Sequence, residues 1–414
     1  MSKDPPNTQG PEKLRALFRD REFLAYFIAR QSGWFATSVA DVAIGWQVYA
    51  IRHRAFDLGL VGLIAFLPQL LFALPAGVIA DRVDRRALNI GFNVINLLCS
   101  LVFVRLALTS TTSIGAWFGT LALQSTAFAI AIPAQRSILA LIVQGERFLR
   151  ASAVTSSFAQ LVTIAGPAVA GLLIAVDVPF AFAAAAAAQL LSAIAYTFLS
   201  PRPPLPAARD NVPLLHSALE GARYIYNNKV ILGAISLDLF AVLFGGATAL
   251  LPVFATQILH VGAFGFGLLR AAPAVGAAIM AIVLARRPIR RNAGRLLFWC
   301  VSGFGIFTVV FGLSRSFWLS FAALALADAC DVVSVTIRIA LVQLGTPDEL
   351  RGRVSAVENI FIGASNELGA FESGAVASLI GAAPSVVLGG IGTLIVIALW
   401  TILFPSLRRV DQLT

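Results

Sequence analysis

Charged residues are scarce in this sequence, and their scarcity argues against an ordinary soluble protein. Only 13% of the 414 residues are charged, whereas 58% are hydrophobic. A soluble chain of this length would form two or three domains and would need more charge to cover their surfaces. Many apolar runs instead reach the roughly 20 residues that cross a bilayer. Because a segment in lipid must satisfy its own backbone hydrogen bonds, these runs are predicted to be helices.

Cysteine and histidine are also rare, with three residues of each type. Cys99, Cys300 and Cys330 lie inside apolar runs without the spacing of a metal site, so we expect them to fill the core. The histidines are far apart and fall in predicted loops. A membrane enzyme would need a convergent nucleophile, base or metal set, which the spans lack. We therefore predict no enzymatic activity, no metal and no cofactor.

Several other signals are missing. The nucleotide-phosphate loop G-x-x-x-x-G-K-[ST] does not occur, so ATP-driven pumping is not supported. The polar, proline-rich residues 1–21 lack the cleavage site of a signal peptide. The predicted tails are too short for an attached soluble domain, which argues against a sensor that does not transport. The net charge of +10 comes from arginines scattered over short loops, which does not favour nucleic acid as a partner.

The apolar runs predict an all-α integral membrane protein with twelve spanning helices. A polar linker at 200–228, with an interfacial helix around 214–226, separates the sixth helix from the seventh. The predicted spans are 23–50, 59–80, 87–108, 115–135, 151–175, 180–199, 229–258, 264–285, 294–313, 317–343, 354–381 and 385–404. A basic connector is predicted at 136–150.

The distribution of arginine predicts the orientation of the chain. Loops on the side of the tails carry arginine clusters, whereas the other side holds little beyond Arg52, Arg54 and Arg315. The positive-inside rule therefore places the tails, residues 1–22 and 405–414, in the cytoplasm. The clustered arginines also predict contact with anionic membrane lipid.

The two halves of the chain repeat each other. The pattern Gly62-Leu63 with Pro68 recurs as Gly267-Leu268 with Pro273, an offset of 267 − 62 = 205. Further on, Gly166 and Gly171 match Gly369 and Gly374, where the offset is 369 − 166 = 203. The repeat predicts two pseudo-symmetric six-helix bundles, at 23–199 and 229–404.

One charged stretch carries a family resemblance. Residues 77–86 read G-x-x-x-D-R-x-D-R-R. This stretch resembles the loop G-x-x-x-D-R-x-G-R-R between helices 2 and 3 of major facilitator superfamily transporters, with Asp84 in place of the usual Gly. The wider segment 59–86 is most similar to the branch that contains enterobactin-type siderophore exporters and macrolide-efflux proteins.

The resemblance implies a conformational latch formed by Gly77, Asp81, Arg82, Arg85 and Arg86. Asp81 would face the N-terminal end of helix 11, near Arg353 or Val354, and would hold the cytoplasmic side closed through the helix dipole. Arg82 and Arg85 would pair with nearby acids, Glu146 being one candidate. The alternative is a connector whose charges serve topology alone.

A second motif lies in predicted helix 5. Gly166-Pro167-x-x-Ala170-Gly171 resembles the antiporter motif G-P-x-x-G-G, with Ala in place of one Gly. The resemblance implies exchange of substrate against protons. The alternative is an ordinary kinked helix, in which Pro bends the helix and Gly allows a close neighbour.

Ionisable residues inside the spans are the next signal, since each is costly in lipid and should face a cavity or a partner. In the resembled fold, helices 1, 4, 7 and 10 line the cavity. Burial disfavours an ionised carboxylate and a nearby Arg favours it, which suits a proton carrier. Our candidates for proton coupling are Asp41, Asp331 and Glu367. The candidates for the substrate cavity are Arg30, Trp34, Asp238, Asp328, Asn359 and Asn366.

Each of these residues has a structural alternative. Asp331 and Arg338, seven residues apart, share a helical stripe and could form a fixed ion pair. Trp34 could face lipid, as many membrane tryptophans do. Glu367 and Glu372 are about 140° apart on a helix, so both cannot face one cavity squarely.

The resemblance implies a secondary transporter of the bacterial inner membrane that works as a monomer by rocker-switch alternating access. The expected cargo is a small amphipathic, siderophore-like molecule exported by proton antiport. The alternative is a broad-specificity drug or macrolide efflux pump of the same fold.

Overall fold

A computed structural model describes residues 17–201, 214–289 and 291–411, apart from a few side chains that include those of Asp81 and Glu146. Within these ranges every regular element is a helix. We label the long helices α1 to α12. Their bounds are Arg21–Arg52, Ala55–Arg82, Arg85–Leu108, Ile114–Ile142, Glu146–Val176, Val178–Thr197, Lys229–Ile258, Gly262–Arg286, Ala293–Leu313, Phe317–Gly345, Asp348–Ile380 and Ala382–Leu403. A linker helix, Leu214–Asn227, precedes α7, and Pro405–Arg408 follows α12.

The apolar composition of the helices identifies a multi-pass membrane protein. In the described part of the chain, nine helices are long and apolar enough to cross a bilayer. The other three long helices, α1, α10 and α11, are also long enough, and each carries ionisable residues near its middle. These charges must face a cavity or one another, since lipid cannot solvate them.

Two predicted loops are mostly helical. The predicted connector at 136–150 is wrong in extent: α4 continues to Ile142, and α5 begins at Glu146. The break falls at Gly145, which has a φ of 62°, a conformation that favours glycine. The charged stretch at 77–86 is helical as far as Arg82, and only Val83 and Asp84 interrupt it. Charge alone does not end a helix, because a basic helix end is solvated readily outside the apolar layer.

Helix α7 is continuous in direction but changes its hydrogen-bonding pattern. It is α-helical over Lys229–Phe244, becomes 3₁₀-helical over Gly246–Leu250, and ends in the π-helical turn Phe254–Ile258. Such changes leave backbone carbonyls unpaired, and at membrane depth these need protein or water partners. The irregular turns lie against α11, where Gly246 packs on the backbone of Gly369.

Helix packing repeats between the first half of the chain, α1–α6, and the second half, α7–α12. In the first half α1 packs on α5 and α6, α2 on α4, and α3 on α4 and α6. The corresponding pairs of the second half, six helices later, also pack on each other. Between the halves, α2 packs on α11 and α5 packs on α8. The sequence repeat therefore has a counterpart in the packing.

The two ends of the molecule differ in how the halves meet. We call the end at which α1 begins the tail side, and the other end the far side. On the far side one buried apolar cluster joins both halves, including Val48, Phe182, Phe254 and Phe311. Among the described residues, each buried cluster on the tail side draws on one half only. The halves are thus packed together on the far side.

Candidate functional site

The charged stretch between α2 and α3 organises helix ends on the tail side. Asp84 caps α3, its carboxylate accepting from the backbone N–H of Arg86 at 2.8 Å. The Arg86 guanidinium donates to the carbonyls of Tyr196 and Thr197, at 3.2 and 2.6 Å, and so caps the end of α6. Asp84 therefore has a structural role at the position where the resembled motif has glycine.

The latch itself stays a prediction. The side chains of Asp81 and Glu146 lie outside the described residues. Arg353, one of the groups that Asp81 was expected to face, forms an ion pair with Glu220 of the linker helix. Arg82 is exposed, and a side chain at Gly77 would meet nothing within 4 Å.

The glycines of the α5 motif lie at helix contacts. Gly166 packs against the Ser38 side chain of α1. A Cβ at Gly171 would lie 2.7 Å from the Cα of Gly267 on α8, so the two backbones touch across the halves. The Pro167 carbonyl also lies against Gly267. The motif thus permits close approach of α5 to α1 and α8, whether or not it also serves antiport.

A cavity of about 650 Å³ lies between the halves. It is lined by residues of α1 to α8 and of α11; among the described residues that line it, none belongs to α10. The stripe that α1 contributes includes Arg30, Trp34, Thr37, Asp41 and Gly45, which recur at helical spacing. This volume is typical of a site for one small molecule.

Two of the predicted cavity residues, Arg30 and Trp34, contact each other at the tail-side end of the cavity. The Arg30 guanidinium lies 5.2 Å from the centre of the Trp34 ring and donates to Gln135 of α4 at 2.7 Å. The Trp34 indole N–H donates to Thr163 of α5 at 3.1 Å. Trp34 therefore faces the cavity rather than lipid, in a fixed orientation.

Three charges from both halves meet in the middle of the cavity. Asp41 lies on α1, Arg270 on α8 and Glu367 on α11, and all three line the cavity. Arg270 interacts electrostatically with both acids, and the acids interact with each other. Arg270 also reaches the Thr248 carbonyl, in the irregular part of α7, at 3.4 Å. Asn366, beside Glu367, lines the cavity as well.

Two other candidate acids, Asp238 and Asp331, lie elsewhere. Together with Arg338 and Glu358 they form a cluster within the second half, which we call the closed cluster. Arg338 lies 3.3 Å from carboxylate oxygens of both Asp238 and Glu358, and all three side chains are buried. Asp331 lies near Asp238 and Arg338, beside a crevice too small for a water molecule. Arg338 thus pairs with Asp238 and Glu358 rather than with Asp331 alone.

The structure does not bring Asp238, Asp328, Asp331 or Asn359 into the cavity lining. Asp328 is half-buried on α10. Asn359 is exposed on α11, where its side-chain amide donates a hydrogen bond to the Ser355 carbonyl. Of the helices expected to line the cavity, 1, 4 and 7 do so, whereas Asp331 and Arg338 of α10 lie beside acids of α7 and α11.

Sequence reasoning missed several polar residues that do line the cavity. Arg270 of α8 lines the cavity, although it was not among the candidates for the site. The amides of Asn93, Asn96 and Gln124 also line it. A signal existed: Asn89, Asn93 and Asn96 recur at helical spacing in an otherwise apolar span, which marks a polar face.

The cavity between two repeated halves and the charges that converge in it define a membrane transporter of the major facilitator type. The chain belongs to the family described as Transmembrane secretion effector, which matches residues 14–413. It is similar to the enterobactin exporter EntS of Citrobacter koseri, with 26% identity over 398 residues, covering 94% of this chain and 93% of that protein. An Escherichia coli enterobactin exporter EntS is 25% identical with the same coverage.

Solved structures support the fold. The nucleoside transporter NupG has a TM-score of 0.72 and 13% identity, covering 92% of this chain and 99% of that one. A bacterial homologue of the human lysosomal transporter Spinster, in an inward-facing and occupied conformation, has a TM-score of 0.70 and 13% identity, with coverage of 93% and 97%. The predicted family is therefore confirmed, and the chain is a transporter, not an enzyme.

Proposed function

We propose that this protein exports a small amphipathic, siderophore-like molecule across the bacterial inner membrane by proton antiport. The observation that carries the proposal is the convergence of Asp41, Arg270 and Glu367 in a cavity between the halves. A single Arg facing two acids can change partners when one acid takes up a proton. The relatives named as enterobactin exporters support the cargo class.

The transport cycle follows from the unequal ends of the molecule. Two six-helix bundles, 23–199 and 229–404, rock about the cavity, with both termini in the cytoplasm. The far side is packed, as the shared apolar cluster and the contact of Gly171 with Gly267 indicate. This state therefore corresponds to a cavity that exchanges with the cytoplasm. The protein works as a monomer, since one chain supplies the whole cavity.

Proton movement couples the two states. In the cytoplasm-facing state Glu367 releases its proton and the cargo binds; in the outward-facing state the cargo leaves and Glu367 takes up a proton. Arg270 pairs with Glu367 while that carboxylate is ionised and with Asp41 once Glu367 is protonated, so its cation always has an ionised partner. Asp41 lies on α1 and Arg270 on α8, so this exchange joins elements that move relative to each other.

The test is substrate-dependent proton flux in liposomes that contain the purified protein and a pH-sensitive dye. Adding a catechol-type siderophore should start a proton flux through the protein when a pH gradient is imposed. We expect Glu367→Gln to abolish this flux, because a glutamine side chain cannot take up or release a proton. The matched control is Glu372→Gln, on the same helix but outside the cavity lining, which should retain the flux.

Three results would contradict parts of the proposal. Flux that survives in both Glu367→Gln and Asp41→Asn would exclude these acids as proton carriers. If only Asp331→Asn lost the flux, proton coupling would have to be assigned to the closed cluster. If lipophilic cations start a proton flux and siderophores do not, the protein would instead be a broad drug efflux pump.

A further inference from the structure

One cation in the cavity has no acid beside it. Among the described residues, the charged side chains that line the cavity are Arg30, Asp41, Arg270 and Glu367. Asp41 and Glu367 both interact with Arg270. Arg30, by contrast, forms no ion pair with a carboxylate of the described residues. Asp41 lies eleven residues further along α1, which is about 16 Å of helical rise, so the acids of the cavity do not balance Arg30.

The Arg30 guanidinium is held in place, yet most of its donors are unused. It lies over the Trp34 ring at 5.2 Å from the ring centre and donates one N–H to Gln135 at 2.7 Å. Trp34 is in turn fixed by its hydrogen bond to Thr163. A guanidinium carries five N–H donors, and the described residues accept from only one of those of Arg30. A ligand would therefore meet a cation that is already oriented, which lowers the entropic cost of binding.

Arg30 and Trp34 can both be reached from the cavity. Arg30 is partly exposed and Trp34 is 38% exposed, although both residues lie within the span α1. Tyr26 and Tyr196 also interact electrostatically with Arg30, but a phenol at neutral pH brings no negative charge. Because a cation at membrane depth is costly without a partner, this end of the cavity favours an anion.

The position of the two acids restricts where an anion can bind. Asp41 and Glu367 lie in the middle of the cavity, where they would repel a second negative group. Arg30 lies about three turns away, at the tail-side end. An elongated amphipathic molecule can thus place an acidic end at Arg30 and its apolar part further inside. A carboxylate suits this place best, because its two oxygens match the planar fork of a guanidinium.

We propose that Arg30 binds a carboxylate of the cargo at the tail-side end of the cavity, with Gln135 and Trp34 orienting its guanidinium. This subsite rests on the proposed export function, since it assigns a chemical group to the cargo of the same cavity. Arg30, Trp34, Gln135 and Thr163 all lie in the first half, on α1, α4 and α5. The contact with the carboxylate can therefore persist while the halves move, whereas the pairing of Arg270 with Asp41 spans the halves.

The test compares two probes of nearly the same shape, 4-cyclohexylbutyrate and its neutral amide, 4-cyclohexylbutyramide. Equilibrium binding of the radiolabelled probes is measured on the protein in phosphatidylcholine nanodiscs, with empty nanodiscs as the blank. We expect the acid to bind about 10- to 100-fold more tightly than the amide, the usual effect of a hydrogen-bonded charge pair. In Arg30→Gln, which removes the charge and keeps a polar side chain, this preference should fall to about twofold or less.

Three further variants separate recognition from folding, and binding of the amide reports whether each variant is intact. Arg30→Lys keeps the charge without the planar fork and should retain a preference for the acid of at least about fivefold. Arg105→Gln is the matched control, since Arg105 is exposed in the last turn of α3 and does not line the cavity; the preference should be unchanged. Gln135→Met removes the acceptor that orients Arg30 and should weaken the acid about two- to fivefold, with the amide unaffected.

Equal binding of the two probes by the unmodified protein would overturn the subsite, as would an unchanged preference in Arg30→Gln. Failure of both probes to bind at millimolar concentration would also overturn it. If the preference were present in phosphatidylcholine and lost in nanodiscs that contain phosphatidylglycerol, the anion at Arg30 would be a lipid headgroup and not the cargo.

The export proposal is judged separately. Proton flux that depends on Glu367 and is unchanged in Arg30→Gln, without a preference between the probes, would reject the subsite and keep proton-coupled export. A preference for the acid that Arg30→Gln abolishes, without any proton flux that depends on Glu367 or Asp41, would keep the subsite and reject the proposed coupling.

Discussion

Two groups of charges inside this protein combine an arginine with carboxylates in different places. In the cavity, Asp41, Arg270 and Glu367 come from both halves. In the closed cluster, Arg338 lies 3.3 Å from both Asp238 and Glu358, on three helices of the second half. The charges that we propose exchange partners thus lie on both halves, whereas the closed cluster lies within one half.

The environments explain this division. The cavity has room for water, which screens charges, so the exchange of partners that we propose there costs little. In the closed cluster the side chains of Arg338, Asp238 and Glu358 are all less than 10% exposed. Removing one partner there would leave an uncompensated charge in an apolar region. The closed cluster thus links α7, α10 and α11, while the cavity charges are those that we propose respond to cargo and protons.

Among the variants that test this comparison, loss of Arg338 should have the largest effect. We expect Arg338→Met to lower the free energy of unfolding by about 3–5 kcal/mol, because two buried carboxylates lose their cation. Thermal unfolding of the detergent-solubilised protein measures this. Adding Asp238→Asn and Glu358→Gln to the variant should restore at least about half of the stability. Stability that is unchanged in the single variant would show that the closed cluster does not hold the helices.

Loss of the cavity arginine should act on transport instead of stability. We expect Arg270→Met to reduce substrate-dependent proton flux at least about tenfold, since Asp41 and Glu367 lose the cation they share. The free energy of unfolding should change by less than about 1 kcal/mol, because the cavity is partly hydrated. Flux assays and thermal unfolding on the same preparation separate the two effects. A loss of stability as large as that of Arg338→Met would erase the distinction between the two sites.

The smallest effect concerns the space beside Glu367. A Cβ at Gly62 would lie 3.1 Å from Glu367 Oε2 and 3.0 Å from the Ala370 Cβ. We expect Gly62→Ala to lower proton flux about two- to fivefold by displacing the Glu367 side chain, a cost of about 1 kcal/mol. Gly45→Ala, the control in open space of the same cavity, should leave flux unchanged. Equal fluxes in both variants would mean that the position of Glu367 is not critical.

Much of the fold could be predicted from local sequence. Of the 24 boundaries of the twelve predicted spans, 21 lie within four residues of the helix ends in the structure, because crossing a bilayer requires about 20 apolar residues in any context. The linker helix was also expected where Leu214–Asn227 lies. The predicted connector at 136–150 was wrong in extent, since the charge pattern that marks the edge of the membrane does not mark the end of a helix.

The site could be predicted only in part. Arg30, Trp34, Asp41, Asn366 and Glu367 all line the cavity, and of these the first three lie on helix 1, which was expected there. Asp238, Asp328, Asp331 and Asn359 were grouped with them on the strength of family resemblance, yet they do not line it. Hydropathy shows that a charge in a span needs a partner, but it cannot say which partner it finds.

The sequence alone thus determined that the chain crosses a membrane repeatedly, that its halves repeat and which side chains carry charge, since these properties depend on composition and spacing along the chain. Only the tertiary structure decided which charges pair within one half and which line the cavity between the halves. Asp238 meets Arg338 a hundred residues away, and Arg270 faces acids of α1 and α11. Such pairings depend on how distant helices pack, and local sequence patterns do not encode them.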